Sequence, residues 1–239
     1  MSSESFKQLK RKLEDETLDG AERNILMVAL GDSVTQCIAE PPYLEADDAY
    51  HQLFRRELIK RYPSCSFSVI NAGVGGETTE GGLRRLQRNV LDHHPDLITV
   101  LFGLNDLFDS GGEDKFRRNL TEIVQRCKQM APVILLTPNM MATHDSARVP
   151  LMYKTEIDSF IAKQMEGKLE CYVKIIREVA AATEIPLADA YSEWIKRQAA
   201  GEDMTIWLAN GINHPDKRGH EILADALLGT FLKSLEFCH

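Results

Sequence analysis

The chain has 239 residues, 44% of them hydrophobic, which suits one well-filled α/β domain better than two small ones. Against 28 basic residues stand 36 acidic ones, and the resulting net charge of −8 disfavours nucleic acid and anionic membrane surfaces as partners. The five cysteines, Cys37, Cys65, Cys127, Cys171 and Cys238, are odd in number and contain no C-x-x-C pair, so they read as reduced structural thiols.

Residues Met1–Leu13 carry charge without the apolar core of a signal peptide, and no later run approaches a membrane span, so a cytoplasmic location is expected. A basic amphipathic segment at about 4–14 places a helical extension over residues 1–20 of a single domain covering 1–239. Beyond it, strands and helices alternate. Apolar runs predict strands at 25–30, 67–71, 96–102, 132–137 and, more briefly, 185–188. Between them lie helical stripes: Tyr50, Leu53, Phe54 and Leu58; then Leu83, Leu86 and Val90; then Phe116, Leu120, Ile123, Val124 and Cys127. A long helix is predicted over roughly 153–183, with Gly167 as a point of bending or interruption. The last helix runs from about Lys217 to Leu235, with Asp216 as its N-cap. Five β–α units in this order predict a three-layer α/β/α sandwich around a five-stranded parallel sheet of flavodoxin-like topology. Every loop after a strand then opens on one edge of the sheet.

Four stretches on that edge carry more chemistry than connections need. The first strand closes in Gly31-Asp32-Ser33-Val34-Thr35, where the serine reads either as a helix N-cap or as a nucleophile presented by the strand end. The second loop, Asn71-Ala72-Gly73-Val74-Gly75-Gly76-Glu77-Thr78-Thr79, has three glycines in four residues. It reads as a tight turn before a helix capped by Thr78 or Thr79, or as a backbone cradle for a ligand. Thr78 stands where a dinucleotide fingerprint needs its third glycine, and no Lys-Ser/Thr pair supports a P-loop. Third comes Phe102-Gly103-Leu104-Asn105-Asp106, in which Asn105 is an ordinary turn residue or an amide donor aimed at the edge. Last is Asn210-Gly211-Ile212-Asn213-His214-Pro215, directly before the final helix. His51, His93, His94, His144, His220 and His239 show no metal-ligand spacing, and neither a metal nor a cofactor is expected.

These four blocks in this order resemble the SGNH/GDSL hydrolase family over about residues 25–235. The resemblance rests on Gly31-Asp32-Ser33, Gly76, Asn105 and His214. The nucleophile elbow G-x-S-x-G is not matched, because Val34-Thr35 follow Ser33. The resemblance implies ester hydrolysis with Ser33 as nucleophile and His214 as base. It further implies an oxyanion hole made by the N–H groups of Ser33 and Gly76 and the side-chain amide of Asn105. The family usually carries an aspartate three residues before the histidine; here that position is Gly211. The expectation is a Ser–His dyad, with Asn210, a backbone carbonyl, Asp203 or Asp216 left to orient the imidazole. Asp32, Tyr43 and Met140 are candidate substrate contacts, and Phe108, Met141, His144 and Arg148 complete the expected pocket walls. The implied partner is a small soluble ester with a short acyl chain, such as an O-acetylated sugar. A longer-chain lipase or thioesterase is the enzymatic alternative. A non-catalytic ester or sugar binder and a nucleotide-binding flavodoxin-like protein are the rivals from other classes.

Overall fold

The computed structural model describes residues 2–40, 43–44 and 46–237, with side chains over 4–38 and 46–237. Five parallel strands form the central sheet: β1 (Asn24–Gly31), β4 (Ser66–Gly73), β5 (Leu97–Leu101), β6 (Val133–Leu136) and β7 (Leu187–Ala188). Their order is β4-β1-β5-β6-β7, the flavodoxin-like arrangement, and each neighbouring pair is parallel. A separate hairpin pairs β2 (Ile38–Glu40) with β3 (Tyr43–Leu44). The inner strands β5 and β6 are buried along their whole length, as expected where helices cover both faces.

The chain crosses the sheet in both directions from β1, so the connections after β1 and β5 diverge and leave a crevice at the carboxyl ends of these strands. One helical layer contains α1 (Ser2–Glu14), α3 (Tyr50–Arg61), α8 (Ala190–Ala199) and α9 (Lys217–Glu236); the other contains α4 (Thr79–Asn89), α5 (Gly112–Lys128) and α7 (Lys168–Thr183). No helix among the described residues is long and apolar enough to cross a membrane.

Strand positions follow the apolar runs closely, and Asp216 caps α9 by accepting from the N–H groups of Arg218 and Gly219. The long helix is interrupted at Gly167, as expected, giving α6 (Ile157–Met165) and α7, because Gly167 adopts φ +72°, a left-handed conformation that ends one helix and starts the next. Two features differ from expectation: Leu151–Tyr153 form a 3-10 turn, so that the first of these helices starts only at Ile157, and a further helix precedes the last one. Helix α8, absent from the predicted elements, starts at Asp189, whose carboxylate accepts from Ser192 N–H, and it turns Tyr191 and Trp194 into the core.

Residues 1–20 do more than extend the domain. Phe6, Leu9 and Leu13 of α1 are buried, and α1 packs on α9. Lys12 donates to Asp96 at 2.6 Å, while the other Asp96 oxygen accepts from Leu26 N–H of β1. The helix is therefore tied into the core by packing and to the sheet by a shared carboxylate. Leu13→Ala should lower unfolding free energy in urea titrations by about 2–5 kcal/mol, the range for truncating a buried leucine; an unchanged midpoint would show that α1 contributes no core.

Candidate active site

The site grows from the carboxyl end of β1. Asp32 leaves the strand with φ −96° and ψ −150° and caps a single helical turn, α2 (Ser33–Gln36), by accepting from Val34 N–H at 2.9 Å. The capping role open to Ser33 in the sequence thus falls to Asp32, and the Ser33 hydroxyl is free for another partner. That partner is His214: Ser33 Oγ lies 2.9 Å from Nε2. With the hydroxyl donating and Nε2 accepting, the geometry is that of a nucleophile beside its base.

His214 is held mainly through its backbone. The Asn210 side-chain oxygen accepts the N–H groups of Ile212, Asn213 and His214, each at 3.0 Å, and its amide nitrogen donates to Asn213 Oδ1. Asn210 therefore positions the histidine by shaping its turn and does not reach the ring. Nδ1 is buried and has no partner among the described residues. Burial pushes the His214 pKa down to about 4. The two candidate orienting carboxylates are engaged elsewhere. Asp203 accepts from Thr205 N–H and pairs with His144, and Asp216 caps α9 and binds Arg218.

Gly211, where the family's aspartate would stand, has φ +66°. A Cβ there would come within 2.5 Å of Ser146 Oγ and 3.1 Å of both Arg148 Cβ and Val149 Cγ2. The space beside the turn is filled by the loop after β6.

Two other loops bring donors to the same edge. Gly76 N–H has no acceptor among the described residues. The Asn105 amide donates one hydrogen to the Glu77 carbonyl at 3.0 Å, which fixes its plane and leaves the second hydrogen for a ligand. Thr79 neither caps α4 nor faces solvent: its N–H and hydroxyl both donate to Asp106, joining the second loop to the third. Burial pushes the carboxyl of Asp106 up to about 6, and that of Asp32 up to about 7, with the charge of Asp106 adding to the latter.

Ser33, Gly76, Asn105 and His214 all line one cavity of about 550 Å³, together with Ile38, Tyr153, Glu156, Phe160 and Asn213. Gly76, Asn105, Glu156 and Phe160 are shared with an adjoining cavity of about 580 Å³ that continues past Thr78, Phe108, Asp109, Thr155 and Ser159. Several expected wall residues are elsewhere. Met140 and Met141 are core residues, and Asp32 is fully buried as a cap, so none of the three is open to a ligand. Arg148 is turned to the carbonyls of Ile206 and Leu208, and His144 to Asp203. The side chain of Tyr43 lies outside the described residues. Cys37 is buried against His220 Nε2 rather than in the cavity. Tyr153, Glu156, Ser159 and Phe160 escaped the sequence reading because they were assigned to one long helix, whose break they precede. No group of three or more His, Cys, Asp or Glu able to hold a metal occurs among the described residues.

A family model described as GDSL-like Lipase/Acylhydrolase matches residues 29–222. An acetylxylan esterase of Geobacillus stearothermophilus is 23% identical over 221 residues, 84% of this chain and 91% of that protein. The crystal structure of that organism's acetylxylan esterase Axe2 superposes with a TM-score of 0.66 at 21% identity, covering 87% of this chain and 94% of the other. An α/β hydrolase from the metagenome of Lake Arreo, LAE5, gives a TM-score of 0.67 at 22% identity with the same coverage. Catalytic mutants of Axe2 replace a serine, a histidine and an aspartate, the last three residues before the histidine. The same spacing leads here to Gly211. Gly211→Asp should not rebuild a triad; strain at positive φ and collision with residues 146–149 should instead lower stability by about 1–3 kcal/mol in urea titrations. A more stable or faster variant would show that the loop gives way.

Proposed function

Since the chain belongs to the GDSL-like lipase/acylhydrolase family and is an ester-hydrolysing enzyme, we propose that it is a serine esterase acting on small soluble esters with short acyl chains through a Ser33–His214 dyad. The carrying observation is the 2.9 Å hydrogen bond between Ser33 Oγ and His214 Nε2 in a cavity that also holds Gly76 and Asn105.

In this reading Ser33 Oγ attacks the ester carbonyl carbon while its proton passes to His214 Nε2. The carbonyl oxygen becomes an oxyanion that accepts from the N–H groups of Ser33 and Gly76 and from the Asn105 amide. Collapse expels the alkoxide, which takes the proton from His214 and leaves as alcohol. Water then attacks the acyl-enzyme, giving its proton to His214, and the carboxylic acid departs as Ser33 regains its hydrogen. With no carboxylate at Nδ1 among the described residues, the imidazolium formed in each half-reaction is stabilised less than in a triad.

The substrate class is supported by the mixed lining of the two cavities, where Thr78, Thr155, Ser159 and Asn213 supply polar contacts beside Phe108 and Phe160. O-acetylated carbohydrates fit such a surface, and a similar protein is an acetylxylan esterase. Longer-chain esters are the second reading, favoured by Leu151 and Met152, which are exposed on the same turn as the cavity-lining Tyr153. Cys65, Cys127 and Cys171 form no disulfide among the described residues, and a cytoplasmic location is proposed with this activity.

A panel of p-nitrophenyl esters from acetyl to decanoyl, together with acetylated xylo-oligosaccharides, tests the proposal. Rates should fall with acyl length and vanish in Ser33→Ala and His214→Ala. A maximum at long chains would favour the second reading, and no turnover by the folded protein would make it a binder. Asn105→Ala should lower kcat by about 100- to 1000-fold, the effect of removing one oxyanion donor. The base works only when neutral, and burial lowers its pKa to about 4. The acidic limb of kcat/KM should therefore lie near pH 4, with a plateau through pH 6; a limb at 6.5 or above would contradict a lowered His214 pKa.

A further inference from the structure

We propose that Arg85 is a positioning residue for the oxyanion hole, setting all three donors at once; the proposal rests on the assignment of Ser33, Gly76 and Asn105 above. Arg85 lies in the middle of α4, outside both cavities, and its side chain is largely buried. One guanidinium binds the ends of two strands, β1 and β4, and the loop that follows β4. Its Nη2 donates to the Gly31 carbonyl at 3.0 Å, two residues before Ser33. Its Nη1 donates to the Ala72 carbonyl at 2.6 Å, four residues before Gly76. Its Nε donates to the carboxylate of Glu77, which directly follows Gly76.

The third link reaches Asn105 as well, because the backbone carbonyl of Glu77 accepts the Asn105 amide. The Gly76 peptide is thus held from both sides, the Ser33 turn from the strand that delivers it, and the Asn105 plane through Glu77. Arginine suits this task because its donors form a planar fork, whereas a lysine ammonium is a point charge that cannot hold three acceptors in that arrangement. The chain around it is shaped to match. Gly81 leaves room for the Glu77 side chain to fold back toward Arg85, since a Cβ at 81 would lie 2.4 Å from Glu77 Cγ.

A role confined to folding and a role in positioning differ in what they change. Oxyanion donors act on the tetrahedral species, so misplacing them lowers kcat and leaves ground-state binding alone. Arg85→Met, Arg85→Lys and Glu77→Gln should be compared with the unaltered protein on p-nitrophenyl acetate. Readouts are kcat, KM, melting temperature and affinity for a trifluoromethyl ketone, which forms a tetrahedral adduct with the serine.

Both arginine variants should lose about 10- to 100-fold in kcat with KM within about twofold, and ketone affinity should fall in parallel. Glu77→Gln should show a smaller loss with the same pattern, and it carries the test together with Arg85→Lys if Arg85→Met fails to fold. Folded variants with unchanged kcat and ketone affinity would overturn the proposal, as would a loss confined to melting temperature. Turnover that persists in Ser33→Ala would instead sink the site assignment itself, so the two failures are distinguishable.

Discussion

Parallel strands can be joined only by crossovers, and because all five strands of the sheet point the same way, each delivers its next loop to the same edge. Everything at the site follows from that constraint. Ser33 leaves β1, Gly76 follows β4, Asn105 follows β5, and the loop after β6 walls off the turn that carries His214. Residues 181 positions apart thereby come to hydrogen-bond distance. The divergence of connections on either side of β1 opens the crevice that receives them.

What a single chain of letters reveals here depends on whether a residue's role is local. Buried strands announce themselves as apolar runs, and Asp216 before Lys217 marks a helix start whatever surrounds it. The serine, glycine, asparagine and histidine blocks were legible because each follows a strand or precedes the last helix. Burial was harder to read. Met140 and Met141 in a loop look like pocket walls, yet the loop folds inward and makes them core. Asp203 and Asp216 had the right charge to orient a histidine, but their carboxylates satisfy nearby N–H groups and cations instead. The cavity-lining residues between 153 and 160 read as part of one helical stripe, whereas Leu151–Tyr153 form a 3-10 turn and α6 starts only at Ile157.

Burial also organises the electrostatics of the site. It disfavours charge of either sign, so the same low-dielectric surroundings depress the pKa of His214 and raise those of Asp32 and Asp106. A carboxylate beside Nδ1 would offset the first shift, but none lies there among the described residues. At the same edge, Arg85 and the Thr79–Asp106 and Asn105–Glu77 hydrogen bonds tie Gly31, Ala72, Glu77, Thr79, Asn105 and Asp106 together.

The turn before His214 has a consequence for chemical ageing. Asn210-Gly211 is the dipeptide in which an asparagine most readily cyclises, because the following amide nitrogen meets little steric hindrance on its way to the side-chain carbonyl. In the folded protein that nitrogen is held to the Leu208 carbonyl, and the side-chain oxygen is held by three N–H groups. Deamidation therefore requires the turn to open. An aspartate formed there would face the Asn213 oxygen that now accepts from the amide, and an isoaspartate would lengthen the backbone beside His214. The hydrogen bonds that seat His214 thus also guard the covalent integrity of the segment that carries it.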